Sequence, residues 1–239
     1  MSFDFPGNAD CFVNRGNIDL NFQPPLTWSC WIIPDTLPKD QGVNYYGANS
    51  PANKFNSGFM FYFPNNSTVA AYVRATNPIA WVSKATGNLT AGTLYHLCAT
   101  CYTAGNTIYI DFYVNGTLYQ VNSTGTSPRG INYEDATVYF RVGKYATTYF
   151  DGKIEDFAIW NVRLNEVEIL QLYNSYKKRM PLMIQPANLQ VYWPLDDYSP
   201  GITNIARAID MSANGRNAGS VTGGASIVAR ESIMRGGII

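Results

Sequence analysis

The chain has 239 residues, 46% of them apolar and only 14% charged, with Lys and Arg matching Asp and Glu at 17 each. Sparse, balanced charge weighs against a nucleic-acid partner, whose affinity rests on clustered cations facing phosphates. No apolar run reaches the length of a membrane span. Ordinary soluble proteins carry roughly 25% charged residues. The surface here must be covered by Asn, Ser, Thr, Gly and Tyr, and it repels its own copies weakly, as suits a part of an assembly.

The chain opens on Met1-Ser2-Phe3-Asp4-Phe5-Pro6-Gly7, with neither a basic nor an apolar leader region, so no secretory signal is expected. The glycosylation sequons at Asn65, Asn66, Asn88, Asn115 and Asn122 then carry little weight. Strand-rich runs follow at Thr27 to Ile33, Gly58 to Phe63, Thr68 to Ala75 and Thr93 to Tyr102. Cys98 and Cys101 lie three apart in the last of these, which points them to opposite strand faces. With Cys11 and Cys30 they are expected to be buried free thiols. His96, in the same alternating run, has no nucleophile and orienter assigned beside it and is read as structural.

Thr107 to Val121 is two strands flanking Asn115-Gly116, the strongest short hairpin signal because a type I′ turn needs positive φ at both central residues. Ile108, Ile110, Phe112 and Val114 alternate with Tyr109, Asp111 and Tyr113, which predicts one buried and one wet face. Further strands are expected at Thr137 to Val142, Lys153 to Trp160 and Leu189 to Trp193. Gly, Pro and Asn at short intervals give the rhythm of a sandwich or barrel. One helix interrupts it. Asn165 caps it, Glu168 completes a capping box, and Leu164 with Ile169 forms a staple. Ile169, Leu172, Tyr173 and Tyr176 make its apolar stripe. Lys177-Lys178-Arg179 suits the negative end of the helix dipole, and Pro181 follows. Pro194 to Ala225 is loop-rich, and Ser226 to Ile239 is expected to be a closing strand with an exposed arm.

Several segments resemble the laminin-G-like/concanavalin A-like lectin and glucanase superfamily. Phe5-Pro6-Gly7-Asn8-Ala9-Asp10-Cys11-Phe12-Val13 resembles its opening F-D-G-x-x-D-Y-V. Leu26 to Pro34 is similar to F-T-I-S-A-W-V-x-P, Tyr95 to Thr100 to W-H-H-V-A-x-T, and Phe112 to Gly116 to L-Y-V-D-G. Phe150-Asp151-Gly152-Lys153-Ile154-Glu155-Asp156-Phe157, running on through Trp160-Asn161 to Leu172-Tyr173, resembles the late motif F-x-G-x-I-D-E-V. The resemblance implies an all-β, two-sheet antiparallel jelly-roll sandwich with one short helix in the C-terminal half. The sandwich is expected over residues 1–225, with a closing strand and arm over 226–239. Val191 to Asp197, Asn214 to Gly219 and Thr222 to Ala225 resemble the segment that usually comes first in these domains, so the chain reads as circularly permuted. Surface termini tolerate such a change.

Glucanases of this superfamily carry an E-x-D-x-E run, whose alternation sets carboxylates about 5–5.5 Å apart for a retaining mechanism. No such run exists here. Glu155 and Asp156 are adjacent and expected on opposite faces, and Glu134 and Asp135 fall in a predicted loop. No enzymatic activity is expected. The resemblance also implies a candidate calcium site at Asp10 and Asp156. Calcium takes roughly six to eight oxygens, and the competing use of both residues in capping turns or pairing with Arg is preferred. No other cofactor is implied. For glycans, Tyr109, Asp111 and Tyr113 form an outward stripe that could stack on and bond a sugar, joined by Tyr45, Tyr46 and Trp81 in or near loops. The same tyrosines suit a protein interface. The expected function is a non-enzymatic structural or adhesive part of a virus particle, such as a bacteriophage head decoration, fibre or tail protein. It would be made in the host cytoplasm and would bind other virion proteins, its own copies or glycans. A free carbohydrate-binding lectin is the alternative, and a glycoside hydrolase ranks last.

Overall fold

Alternating β-branched and aromatic residues form extended strands wherever Gly, Pro and Asn do not interrupt them. The computed structural model describes residues 2–7, 12–17, 22–37, 42–49, 55–65, 67–76, 79–85, 89–105, 107–123, 138–145, 148–176, 180–195, 210–216, 220–222 and 226–228. In chain order the strands are β1 (Ser2–Pro6), β2 (Phe12–Asn17), β3 (Leu26–Pro34), β4 (Gly42–Asn49), β5 (Phe55–Asn65) and β6 (Thr68–Thr76). They continue as β7 (Ile79–Ala85), β8 (Tyr95–Ala104), β9 (Thr107–Val114), β10 (Thr117–Ser123), β11 (Val138–Val142) and the short pair β12 (Lys144–Tyr145) and β13 (Thr148–Tyr149). After β14 (Asp151–Trp160) come the helix α1 (Glu166–Asn174), β15 (Leu189–Trp193), β16 (Ser220–Thr222) and β17 (Ser226–Val228).

Two antiparallel sheets face each other. The front sheet runs β10-β9-β8-β3-β14-β1-β17, and the back sheet runs β16-β2-β11-β4-β5-β6-β7. One edge of β14 serves two partners: residues 151–154 pair with β1 and residues 157–160 with β15. The late strands pair with the earliest ones, β16 on β2 and β17 on β1, where Ser2 faces Val228 and Asp4 faces Ser226. Among the described residues no helix is long and apolar enough to cross a membrane.

The core between the sheets is aromatic. Trp28 of β3 packs on Phe59 and Phe61 of β5, with ring centroids 4.9 and 5.5 Å apart. Phe112 of β9 meets Phe61 at 5.8 Å, and Trp193 of β15 stacks on Phe140 of β11 at 4.5 Å. Burying such side chains supplies the main drive that closes the sandwich.

A second apolar cluster lies outside the front sheet, under α1. It joins Cys98, Tyr113, Ala158, Trp160 and Tyr192 to Leu164, Ile169 and Leu172. The helix forms there because its start is satisfied: Asn165 Oδ1 accepts the Glu168 N–H at 3.0 Å and Glu168 Oε2 accepts the Asn165 N–H at 2.9 Å. The hairpin beneath it turns at Asn115 and Gly116, both at positive φ (53° and 75°), as the type I′ turn requires. A Cβ on Gly116 would sit 3.0 Å from Tyr173 Cβ, so a larger residue would push α1 outward by a few tenths of an ångström besides straining the turn. Cys98 faces this outer cluster and Cys101 the inter-sheet core.

Three expectations need correction. The outer face of β9 is not wet: Asp111 and Tyr113 are 2% and 3% exposed, because α1 and the segment before it fold over them. Tyr45, Tyr46 and Trp81 do not lie in loops. Their backbone belongs to β4 and β7 of the back sheet, while their side chains lie outside the described residues. The alternation expected to separate Glu155 from Asp156 is broken by a bulge in β14, with Asp156 at φ 50°.

Candidate functional site

Strand order brings β8, β9 and the segment between β14 and α1 together on the outer face of the front sheet. Thr27 of β3 pins that segment by donating its hydroxyl to the Val162 carbonyl at 2.7 Å and accepting the Leu164 N–H at 3.0 Å. Arg163 between them is thereby aimed back over β8 and β9. Its guanidinium lies 3.6 Å from the ring centre of Tyr102 and donates from Nη2 to Asp111 Oδ2 at 2.6 Å. Tyr102 in turn stacks on Tyr109, with centroids 5.2 Å apart.

A cleft of about 460 Å³ opens here, within the range of small-molecule sites. It is lined by Tyr102, Arg163, Leu118, Leu164, Asn165 and Glu166, together with the buried Asp111 and Tyr113. The ion pair is asymmetric: the arginine side chain is 46% exposed and the aspartate 3%. Asp111 Oδ2 also accepts the Thr100 hydroxyl at 3.4 Å. Asp111 Oδ1 is buried and accepts no hydrogen bond from any described protein group. A buried carboxylate oxygen without a donor is costly, so the charge of Asp111 depends on Arg163 and Thr100. Burial pushes the Tyr113 hydroxyl above its ordinary range, and the charges of Asp111 and Glu166 push the same way against Arg163. Tyr113 therefore stays a neutral phenol, able both to donate and to accept.

Of the expected stripe, Asp111 and Tyr113 line the cleft, whereas Tyr109 stands behind Tyr102, on which it stacks. Tyr45, Tyr46 and Trp81 stand in the other sheet and do not join it. The sequence reading missed Tyr102 and Arg163, although Tyr102 shares the alternation of β8. Asp10 lies outside the described residues. Asp156 Oδ1 accepts the Tyr192 hydroxyl at 2.6 Å, and its N–H donates to the Pro194 carbonyl. That side chain ties β14 to β15 at the bulge. Among the described residues no group of three or more His, Cys, Asp or Glu is arranged to hold a metal.

His96 lies outside the cleft. Its Nε2 is 2.9 Å from the Ser29 hydroxyl, and its ring packs on Trp31 at 4.9 Å. Burial lowers its pKa from 6.5 to about 3, so it is neutral at physiological pH.

Solved structures share this fold. A candidate carbohydrate binding protein from Bacteroides ovatus superposes with a TM-score of 0.62 at 16% identity over 97% of this chain. The match takes in 61% of that protein's length. The heptameric SAP-like pentraxin of Limulus polyphemus superposes with a TM-score of 0.50 at 14% identity, over 74% of this chain and 83% of the pentraxin. No curated protein matches the sequence. Residues 8–170 match the family model of the concanavalin A-like lectin/glucanases superfamily, and the chain belongs to that superfamily.

Proposed function

We propose that this protein is a non-enzymatic carbohydrate-binding module that holds a sugar in the cleft on the outer face of its front sheet. The observation that carries this reading is the Asp111 carboxylate beneath the cleft. One oxygen holds Arg163 in place through Nη2, and the half-exposed guanidinium is thereby fixed at the cleft with its other N–H groups available. A sugar hydroxyl accepts from the guanidinium N–H groups that Asp111 does not engage, and carbon-bound hydrogens pack on the half-exposed Leu118. The superfamily and the printed name of the Bacteroides protein support the same reading. The roles of the cleft groups argue for binding without bond cleavage, since the Asp111 carboxylate is committed to Arg163 and a hydrolase needs a free acid and base pair.

A glycan microarray with the wild-type chain, followed by calorimetry on the positive sugars, tests this. Asp111→Asn and Tyr102→Ala should each weaken binding at least about tenfold while leaving the circular dichroism unchanged. Retention of full affinity in both variants, or release of reducing ends from the bound glycan, would overturn the reading.

A structural or adhesive part in a virus particle is a second reading. It is supported by the 14% charged composition and by apolar side chains left exposed on α1, Val167 at 65% and Leu170 at 46%, three residues apart and so on neighbouring positions of the helix surface. It expects symmetric oligomers by light scattering. A strictly monomeric chain would count against it.

A further inference from the structure

Resting on the sugar-binding reading of the cleft, we propose that the cleft selects by charge: it admits a neutral sugar ring and turns away the corresponding uronic acid. Three charged side chains line it, and two of them are the carboxylates of Asp111 and Glu166 against the single cation Arg163. That cation is already neutralised: its Nη2 sits on Asp111 Oδ2 at 2.6 Å, and its guanidinium carbon lies 3.6 Å from the ring centre of Tyr102, so an incoming carboxylate would meet a balanced ion pair with the charge of Glu166 beside it.

The start of α1 is the other positive feature nearby, through its backbone dipole. The helix meets that field with its own side chains, having Glu166 and Glu168 in its first turn and Asn165 on the N–H of Glu168. The balance is registered by two phenols on the cleft wall. Burial and then Asp111 hold Tyr113 and Tyr102 above their ordinary range, and the opposing effect of Arg163 is smaller in both.

Asp111 Oδ1 completes the case. It is buried without a donor, so it adds uncompensated negative potential beneath the cleft, and a sugar carboxylate brings a like charge to the same place. Like charges placed together across an interface are strongly disfavoured. The cleft therefore reads a hydroxymethyl group and rejects the carboxylate that replaces it.

Matched pairs differing only at that carbon test this: methyl glucoside against methyl glucuronide, and methyl galactoside against methyl galacturonide, titrated into isotope-labelled protein by NMR. The neutral member of a pair should shift amides of residues 102–113 and 163–166 and bind at least roughly tenfold more tightly than its acid. Glu166→Gln, on the exposed first turn and outside the capping box, should narrow that gap several-fold. An acid that binds as well as its neutral partner overturns charge selection and leaves sugar binding standing. Silence of those amides toward every glycoside overturns sugar binding, and charge selection with it.

Discussion

The two faces of the front sheet are built on opposite plans. The inner face of β3, β8 and β9 presents Leu26, Trp28, Ile32, Leu97, Ala99, Ile108, Ile110 and Phe112 to the back sheet. The outer face of the same strands buries Thr27, Ser29, His96, Thr100 and Asp111 among the apolar side chains of Trp31, Cys98 and Tyr113. An apolar face is satisfied by any neighbour of the right shape, whereas each buried polar group demands a particular partner in a particular place. The inner face therefore closes the sandwich, and the outer face decides what sits on it. Thr27 holds the segment that carries Arg163, His96 finds Ser29, and Asp111 is left with an oxygen to spare. The surplus of specificity lies on the side that folding alone did not require.

Four measurements would sharpen this contrast or break it. On the inner face, Phe61→Ala removes a ring packed on both Trp28 and Phe112 and should cost about 3–5 kcal/mol in chemical denaturation. A loss below about 1 kcal/mol would mean that the inner face is not the main source of stability. On the outer face, His96 gives a dependence on pH. The unfolded chain takes up a proton below 6.5 while the folded one resists until about 3. Stability should then fall as pH drops through that window, by up to about 1.4 kcal/mol per pH unit from this group. His96→Phe should flatten the decline between pH 6.5 and 4, and an unchanged slope would remove His96 from the account.

The third measurement concerns the ion pair. Arg163→Ala strands a buried carboxylate, and after discounting for the half-exposed arginine the loss should be about 1–3 kcal/mol. Adding Asp111→Asn should recover part of it, which a double-mutant cycle reads as coupling. Strict additivity would show that the pair is incidental. Smallest is the cap: Asn165→Ala should cost about 1 kcal/mol, seen as a lower melting temperature.

Elements specified by neighbours along the chain were legible in the sequence. Asn115-Gly116 announced its hairpin and Asn165 with Glu168 announced α1, because both signals act within a few residues. β4 was not legible. Its sequence, Gly42-Val43-Asn44-Tyr45-Tyr46-Gly47-Ala48-Asn49, is rich in residues that disfavour strands, and it is held in place by β5 and β11 on either side. The cleft was half legible. Alternation put Tyr109, Asp111 and Tyr113 on one face, but what covers that face arrives from 52 positions later, at Arg163. Periodicity reports that a face is polar and is silent on whether water or another part of the chain meets it.

The pairing of β1 with β17 has a mechanical consequence. Ser2, at the start of the first described strand, faces Val228, at the end of the last described one. Tension applied through the two ends of the chain would load this antiparallel ladder at one rung and peel it bond by bond, where a shear geometry would strain all rungs at once. The clasp would yield at low force, while β3, buried along its whole length in the middle of the sheet, would bear load only after the edge had opened.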